Sequence, residues 1–167
     1  MRRFLISLCA LCASLLSFSQ PTPTKPLAWR GMMIDVSRHF VPLDELYREV
    51  DIMSHYGLNT LHLHLTDAAG WRMEIKAYPR LTEVGAWRTR QTWKDWWNKP
   101  ANNEGQDLSY VRAYSNSKDG FGGYYTQEQL KGLVRYAQAK GITIVPEIEF
   151  PGHSEEVCAA YPEVAFN

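Results

Sequence analysis

Glu147-Ile148-Glu149-Phe150-Pro151-Gly152-His153 closes an apolar, β-like run over residues 142–148. Two earlier stretches repeat the pattern of charge held back to the end: Asp35-Val36-Ser37-Arg38-His39-Phe40, after β-like residues 32–36, and His62-Leu63-His64-Leu65-Thr66-Asp67, in a strand over 59–66. Parallel α/β enzymes carry their chemistry in this way, at the carboxyl ends of strands. Between the first two runs, Pro42 opens a helical pattern with apolar positions at Leu43, Leu46, Tyr47, Val50 and Met53, closing at Gly57. In the second run Leu61, Leu63 and Leu65 alternate with His62, His64 and Thr66. A second helix starts at Thr126, with Gln129 at capping-box spacing, and runs through Leu130, Leu133, Val134 and Ala137 to Gly141. Strand, helix, strand, helix, strand predicts right-handed βαβ units on a parallel sheet.

Residues 68–125 interrupt that rhythm. At 58 residues the segment is far longer than the roughly 12–15 at which an unstructured loop becomes suspect, so it is expected to carry small elements, a function, or both. It holds Trp71, Trp87, Trp93, Trp96 and Trp97. Exposed aromatic rings commonly hold the apolar faces of sugars, and buried ones make a satellite core; as a set these rings point to a carbohydrate-sized cleft.

The amino terminus reads as a secretory signal. Met1-Arg2-Arg3 is basic, residues 4–18 are uncharged and apolar, and Ser17-Phe18-Ser19 offers small residues for cleavage. Residues 1–19 are read as signal peptide, 20–28 as a Pro/Thr linker, and 29–167 as the catalytic-domain segment. Leu8 and Leu11 precede Cys9 and Cys12, which disfavours lipidation, and Cys158 is left alone without a disulfide framework. Losing Arg2 and Arg3 leaves 16 basic against 18 acidic residues, a net charge of −2. That balance gives no electrostatic reason to expect nucleic acid or a membrane surface as partner. The expected location is outside the cytoplasm, periplasmic or secreted.

Several constellations carry two readings each. Glu147 and Glu149 are two apart on a strand, about 6.6 Å between Cα atoms, which suits a retaining glycosidase pair or a structural pair of carboxylates. His62 and His64 have the same spacing and suggest a metal site completed by Asp67 or His153, or simply strand histidines bonded to neighbours. Arg38, three residues after Asp35, offers a planar fork for sugar hydroxyls or a carboxylate, or an internal ion pair. Asp67 and His153 both end strands, so they are expected to meet, with the carboxylate fixing the imidazole tautomer.

Taken together, residues 30–40, His62 to Asp67 with Gly70-Trp71-Arg72, Tyr78-Pro79, Gly85-Ala86-Trp87-Arg88 and residues 146–153 resemble the family 20 glycoside hydrolases, the β-N-acetylhexosaminidases. The resemblance implies a (β/α)8 TIM barrel, of which this chain would supply the first three parallel strands with a long Trp-rich insertion after the second. It also implies removal of terminal N-acetylglucosamine or N-acetylgalactosamine with retention, the substrate's own acetamido oxygen acting as nucleophile. By the same resemblance Arg38 grips the terminal sugar, Asp67 and His153 form a relay to the catalytic acid, and Asp35 and Glu149 are supports. His62 and His64 are then structural and no metal or other cofactor is implied. The partners implied are amino-sugar glycans or chitooligosaccharides. The family's adjacent catalytic Asp-Glu does not follow His153, and Asp44-Glu45 lies inside the first helix. The chain is thus expected to be the amino-terminal part of an exported hexosaminidase, inactive alone. A metal-dependent barrel hydrolase and a non-catalytic sugar-binding fragment are the alternatives. Ala68 departs from relatives that carry a second acid after the residue matching Asp67.

Overall fold

A computed structural model describes residues 27–88 and 121–165. The signal, most of the linker, and Trp93, Trp96 and Trp97 fall outside the described residues. Strands β1 (Gly31–Asp35), β2 (Thr60–His64) and β7 (Thr143–Glu147) form a parallel sheet in the order β1-β2-β7. The register pairs Met33 with His62 and Asp35 with His64, and continues His62 to Val145 and His64 to Glu147. Helices α1 (Leu43–His55) and α3 (Gln127–Ala139) connect the strands. This is the α/β organisation that the alternation of periods predicts.

Both helices begin and end as their sequences direct. Thr126 accepts from the Gln129 N–H while the Gln129 side chain accepts from the Thr126 N–H, a complete capping box. At the far ends Gly57 (φ 69°) and Gly141 (φ 72°) take the left-handed conformation. There Leu58 N–H reaches back to the Met53 carbonyl, and Ile142 N–H to that of Ala137, at 2.8 and 2.9 Å. Each reversal turns the chain towards the next strand and packs the residue after the glycine against the main core, Ile142 buried and Leu58 partly so.

Side chains alternate across a strand, so the register sorts the sheet into two faces. Met32, Ile34, Leu61, Leu63 and Ile144 pack with Val36, Leu46, Val50, Met53, Leu133 and Ala137 into the main core beneath the helices. The opposite face carries Met33, His62, His64, Val145 and Glu147. Among these Met33 remains 51% exposed and Val145 37%. The face is polar towards the carboxyl end of the strands.

The described parts of the insertion do contain small elements. β2 stops at His64, earlier than the sequence alternation suggests, and Thr66–Asp67 (β3) folds back on Gly70–Trp71 (β4) as an antiparallel hairpin. The tight reversal over Ala68, Ala69 and Gly70 has no signature in the apolar/polar alternation, which continues unbroken through Thr66. A short helix α2 (Arg80–Glu83) follows, then Trp87–Arg88 (β5) paired with Phe121–Gly122 (β6). After β7 come α4 (Glu155–Ala160) and a 3-10 turn (Pro162–Val164). Trp71 packs with Leu81 and Ala160 in a second core, so this tryptophan is satellite-core material. Among the described residues no helix is long and apolar enough to cross a membrane.

Candidate active site

Asp67 is the hub of the site. Its side chain is 3% exposed, and Oδ2 lies 2.6 Å from Arg38 Nη2, 3.1 Å from His153 Nδ1 and 3.3 Å from His64 Nε2. Residues from three distant segments therefore converge on one carboxylate oxygen. Contacts of this kind fix the orientation of a buried carboxylate and of its partners.

Arg38 is gripped from the other side by Asp35, whose Oδ2 accepts from Nη1 at 2.6 Å. The second Asp35 oxygen accepts the backbone N–H groups of Ser37 and Arg38, at 3.0 and 2.9 Å, so one carboxylate shapes the loop and aims its arginine. Burial works against the Asp35 charge, but the Arg38 backbone N–H and guanidinium outweigh it and leave the Asp35 pKa lowered. Burial likewise opposes the Arg38 charge, yet its hydrogen bond to Asp35 and the charge of Asp67 raise its pKa further. The internal ion pair weighed from sequence is thus present. The Arg38 side chain is nonetheless 35% exposed.

His153 does not end a strand as expected. It sits in the turn after β7, with φ 52°, an uncommon conformation for a residue with a side chain. That turn brings Nδ1 onto Asp67 and leaves the side chain 61% exposed. Glu149 also lies just past β7, held by its N–H to Thr66 Oγ1 at 2.8 Å. Glu147, the last residue of β7, is met by His62 Nε2 at 2.6 Å and His64 Nδ1 at 3.0 Å. Burial raises its pKa, but hydrogen bonding with Glu149 and the nearby imidazoles prevail and lower it. The three ligating atoms brought within 4.8 Å of one another belong to His64, Glu147 and Glu149. Neither His62 nor His153 belongs to that set, so the grouping differs from the His62/His64 site considered from sequence.

Two residues without a sequence-derived role support this constellation. Arg72 is fully buried, and its guanidinium donates to the carbonyls of Val36, Ser37, Ala69, Ala86 and Gly123. It ties the Arg38 loop, the β3–β4 hairpin and the β5–β6 ribbon into one unit, and only its place in the Gly70-Trp71-Arg72 run drew notice beforehand. Glu156, also with no exposed surface, has its pKa pushed up to about 9, first by burial, with the charges of Glu155 and Asp67 adding to it. Two consecutive acids opening a helix ordinarily read as exposed dipole partners, so nothing in the sequence marked this one as buried.

The profile of glycosyl hydrolase family 20, catalytic domain, matches residues 27–167. A β-hexosaminidase of Vibrio furnissii is 42% identical over 139 residues, which cover 83% of this chain and 20% of that protein. A β-hexosaminidase of Porphyromonas gingivalis is 42% identical over 137 residues, covering 82% and 14%. Among solved structures, the family 20 exo-β-N-acetylglucosaminidase of Vibrio harveyi in complex with N-acetylglucosamine superimposes with a TM-score of 0.65 at 36% identity, over 83% of this chain and 19% of that one. The chain thus spans a fifth or less of the length of these relatives. They are glycosidases by name, and they lend no support to a metal-dependent hydrolase. With the matching profile covering most of its length, the chain belongs to glycosyl hydrolase family 20.

Proposed function

We propose that this chain is the amino-terminal part of an exported β-N-acetylhexosaminidase that removes terminal non-reducing N-acetylglucosamine or N-acetylgalactosamine from β-linked glycans or chitooligosaccharides. The observation that carries this reading is the convergence of Arg38 and His153 on Asp67, at 2.6 and 3.1 Å. In the proposed mechanism the exposed edge of the Arg38 guanidinium takes two neighbouring hydroxyls of the terminal sugar. Asp67 accepts Nδ1–H of His153, which leaves the Nε2 lone pair to orient the catalytic acid. The acetamido oxygen of the substrate attacks the anomeric carbon, a recognised departure from the usual pair of protein carboxylates. Asp35 and Glu149 hold these groups in place.

On this reading β1, β2 and β7 are three strands of an eight-stranded barrel, and their polar bare face is its interior. The acid and the residue that orients the acetamido group are an Asp-Glu pair outside this sequence. Residues 20–167 assayed alone on an aryl N-acetylglucosaminide should give no turnover. The complete enzyme, extended through the remaining strands, should release the β-anomer of the sugar first, as seen by proton NMR. Turnover by residues 20–167, abolished by Glu149→Gln, would show instead that the β7 glutamates do the chemistry. Sugar binding by the complete enzyme without hydrolysis would favour a lectin-like role.

A further inference from the structure

We propose that His64, Glu147 and Glu149, with His62 at their edge, form a structural binding site for a divalent cation of the zinc class beside the Asp67 hub. The inference does not depend on the proposed glycosidase activity.

Three features of the cluster point the same way. First, its donor set mixes one imidazole nitrogen with two carboxylate oxygens, all within 4.8 Å of one another. Magnesium and calcium favour oxygen alone, whereas imidazole with carboxylate is a common zinc set, three protein ligands leaving one position open. Zinc bonds of about 2.0–2.2 Å in a tetrahedron set neighbouring ligand atoms roughly 3.3 Å apart, so the observed cluster would contract by up to about 1.5 Å around the ion.

Second, the ligands stand on fixed backbone. His64 and Glu147 face each other in the β2–β7 register, and Leu65 N–H donates to the Glu147 carbonyl at 3.1 Å. Glu149 is pinned through its own N–H to Thr66 Oγ1. Sites on strands keep their geometry better than sites on free loops.

Third, the His64 ring is buried, 5% exposed, and already aimed. Nδ1 faces Glu147 at 3.0 Å, while Nε2 lies 3.3 Å from Asp67 Oδ2 without forming a hydrogen bond. A cation on Nδ1 places the proton on Nε2, where a slight rotation lets it donate to Asp67. That is the carboxylate–imidazole–metal arrangement by which proteins fix the tautomer of a ligating histidine. A cation also draws the neighbouring carboxylates of Glu147 and Glu149 onto one centre.

Calorimetric titration of the full chain with zinc chloride tests the site. One zinc per chain with a micromolar Kd is expected, weakened at least about tenfold in His64→Gln and in Glu149→Gln. Glu149 is only partly buried, so its substitution leaves the fold intact, checked by an unchanged circular dichroism spectrum. His55→Gln, on the far side of α1, should bind as the parent does, and magnesium should not compete. Cobalt(II) should show the visible bands of four-coordination, lost in both site variants. Absence of zinc binding below millimolar concentration, or affinity that survives both His64→Gln and Glu149→Gln, overturns the proposal and leaves the cluster a structural network of side chains.

Discussion

Arg72 and Arg38 anchor neighbouring parts of one loop cluster, and Arg72 Nη2 donates to the carbonyl of Ser37, the residue beside Arg38. The surroundings of the two guanidinium groups differ. Arg72 is fully buried and spends its donors on main-chain carbonyls of four segments. Arg38 is 35% exposed and faces two carboxylates, Asp35 and Asp67. Carbonyl acceptors belong to the backbone itself, so satisfying them dictates where the loops run. Carboxylates are side chains that hold a charge in place while leaving part of it accessible. The same residue type thus builds a frame at one position and presents an accessible charge at the other.

The contrast is broken most directly at Arg72. Replacing it with alanine removes the guanidinium donor from five carbonyls in a dry setting, of which that of Ala86 keeps the Gly123 N–H. The expected loss is about 3–5 kcal/mol of stability, read as a lower urea midpoint of the complete enzyme. Arg72→Lys should rescue little, because a compact ammonium with three donors cannot span the same fork. An unchanged midpoint in Arg72→Lys would erase the distinction between frame and surface.

At Arg38 the expectation inverts. Arg38→Lys should cut kcat/KM by about 100-fold, roughly 2.7 kcal/mol of transition-state stabilisation. The urea midpoint should report a stability change below about 1 kcal/mol, as for other partly exposed ion pairs. A stability loss matching that of Arg72→Ala, with kinetics preserved, would make Arg38 structural. His153→Ala sharpens the same side of the comparison. It should lower kcat about tenfold or more with KM nearly unchanged, since in the proposed mechanism it orients an acid rather than the sugar. Treatment with a chelator should leave turnover intact; activity lost to chelation and restored by zinc would point to metal chemistry.

The smallest effect is expected at Glu156. Its pKa is raised from 4.5 to about 9, so between those values the folded protein keeps a proton that the unfolded chain has released. Stability therefore falls as pH rises across that window, and the decline stops above the folded pKa. Glu156→Gln removes the slope. It should add about 1 kcal/mol at pH 8 and nothing near pH 4, by thermal melts across pH. Equal slopes for parent and variant would place the charge elsewhere.

The fold was legible where periodicity and end signals agree. Leu46, Val50 and Met53 mark the inner stripe of α1, Thr126 and Gln129 announce the start of α3, and Gly57 and Gly141 mark the two exits. The hairpin at Thr66–Asp67 was not, because its turn reverses the chain without disturbing the alternation. The site was legible in part. Charged ends of strands singled out Asp35, Arg38, Asp67, Glu149 and His153 and suggested that Asp35 meets Arg38 and Asp67 meets His153, but nothing in the spacing suggested that Arg38 also reaches Asp67. Arg72 escaped because its partners are carbonyls, and every residue has a carbonyl. Glu156 escaped because burial of a helix-opening acid depends on what packs above it, here the second core around Trp71.

The parallel register has a consequence for how the chain assembles in time. Met33 meets His62 across 29 positions, whereas His62 meets Val145 across 83. By loop-closure entropy the longer pairing costs roughly 1 kcal/mol more to initiate, and most of the difference is the insertion between the strands. During synthesis β1, α1 and β2 also emerge from the ribosome before β7 exists. The Arg38–Asp67 pair therefore belongs to an early-forming unit, and His153 arrives last, docking onto a carboxylate that its earlier partner has already oriented.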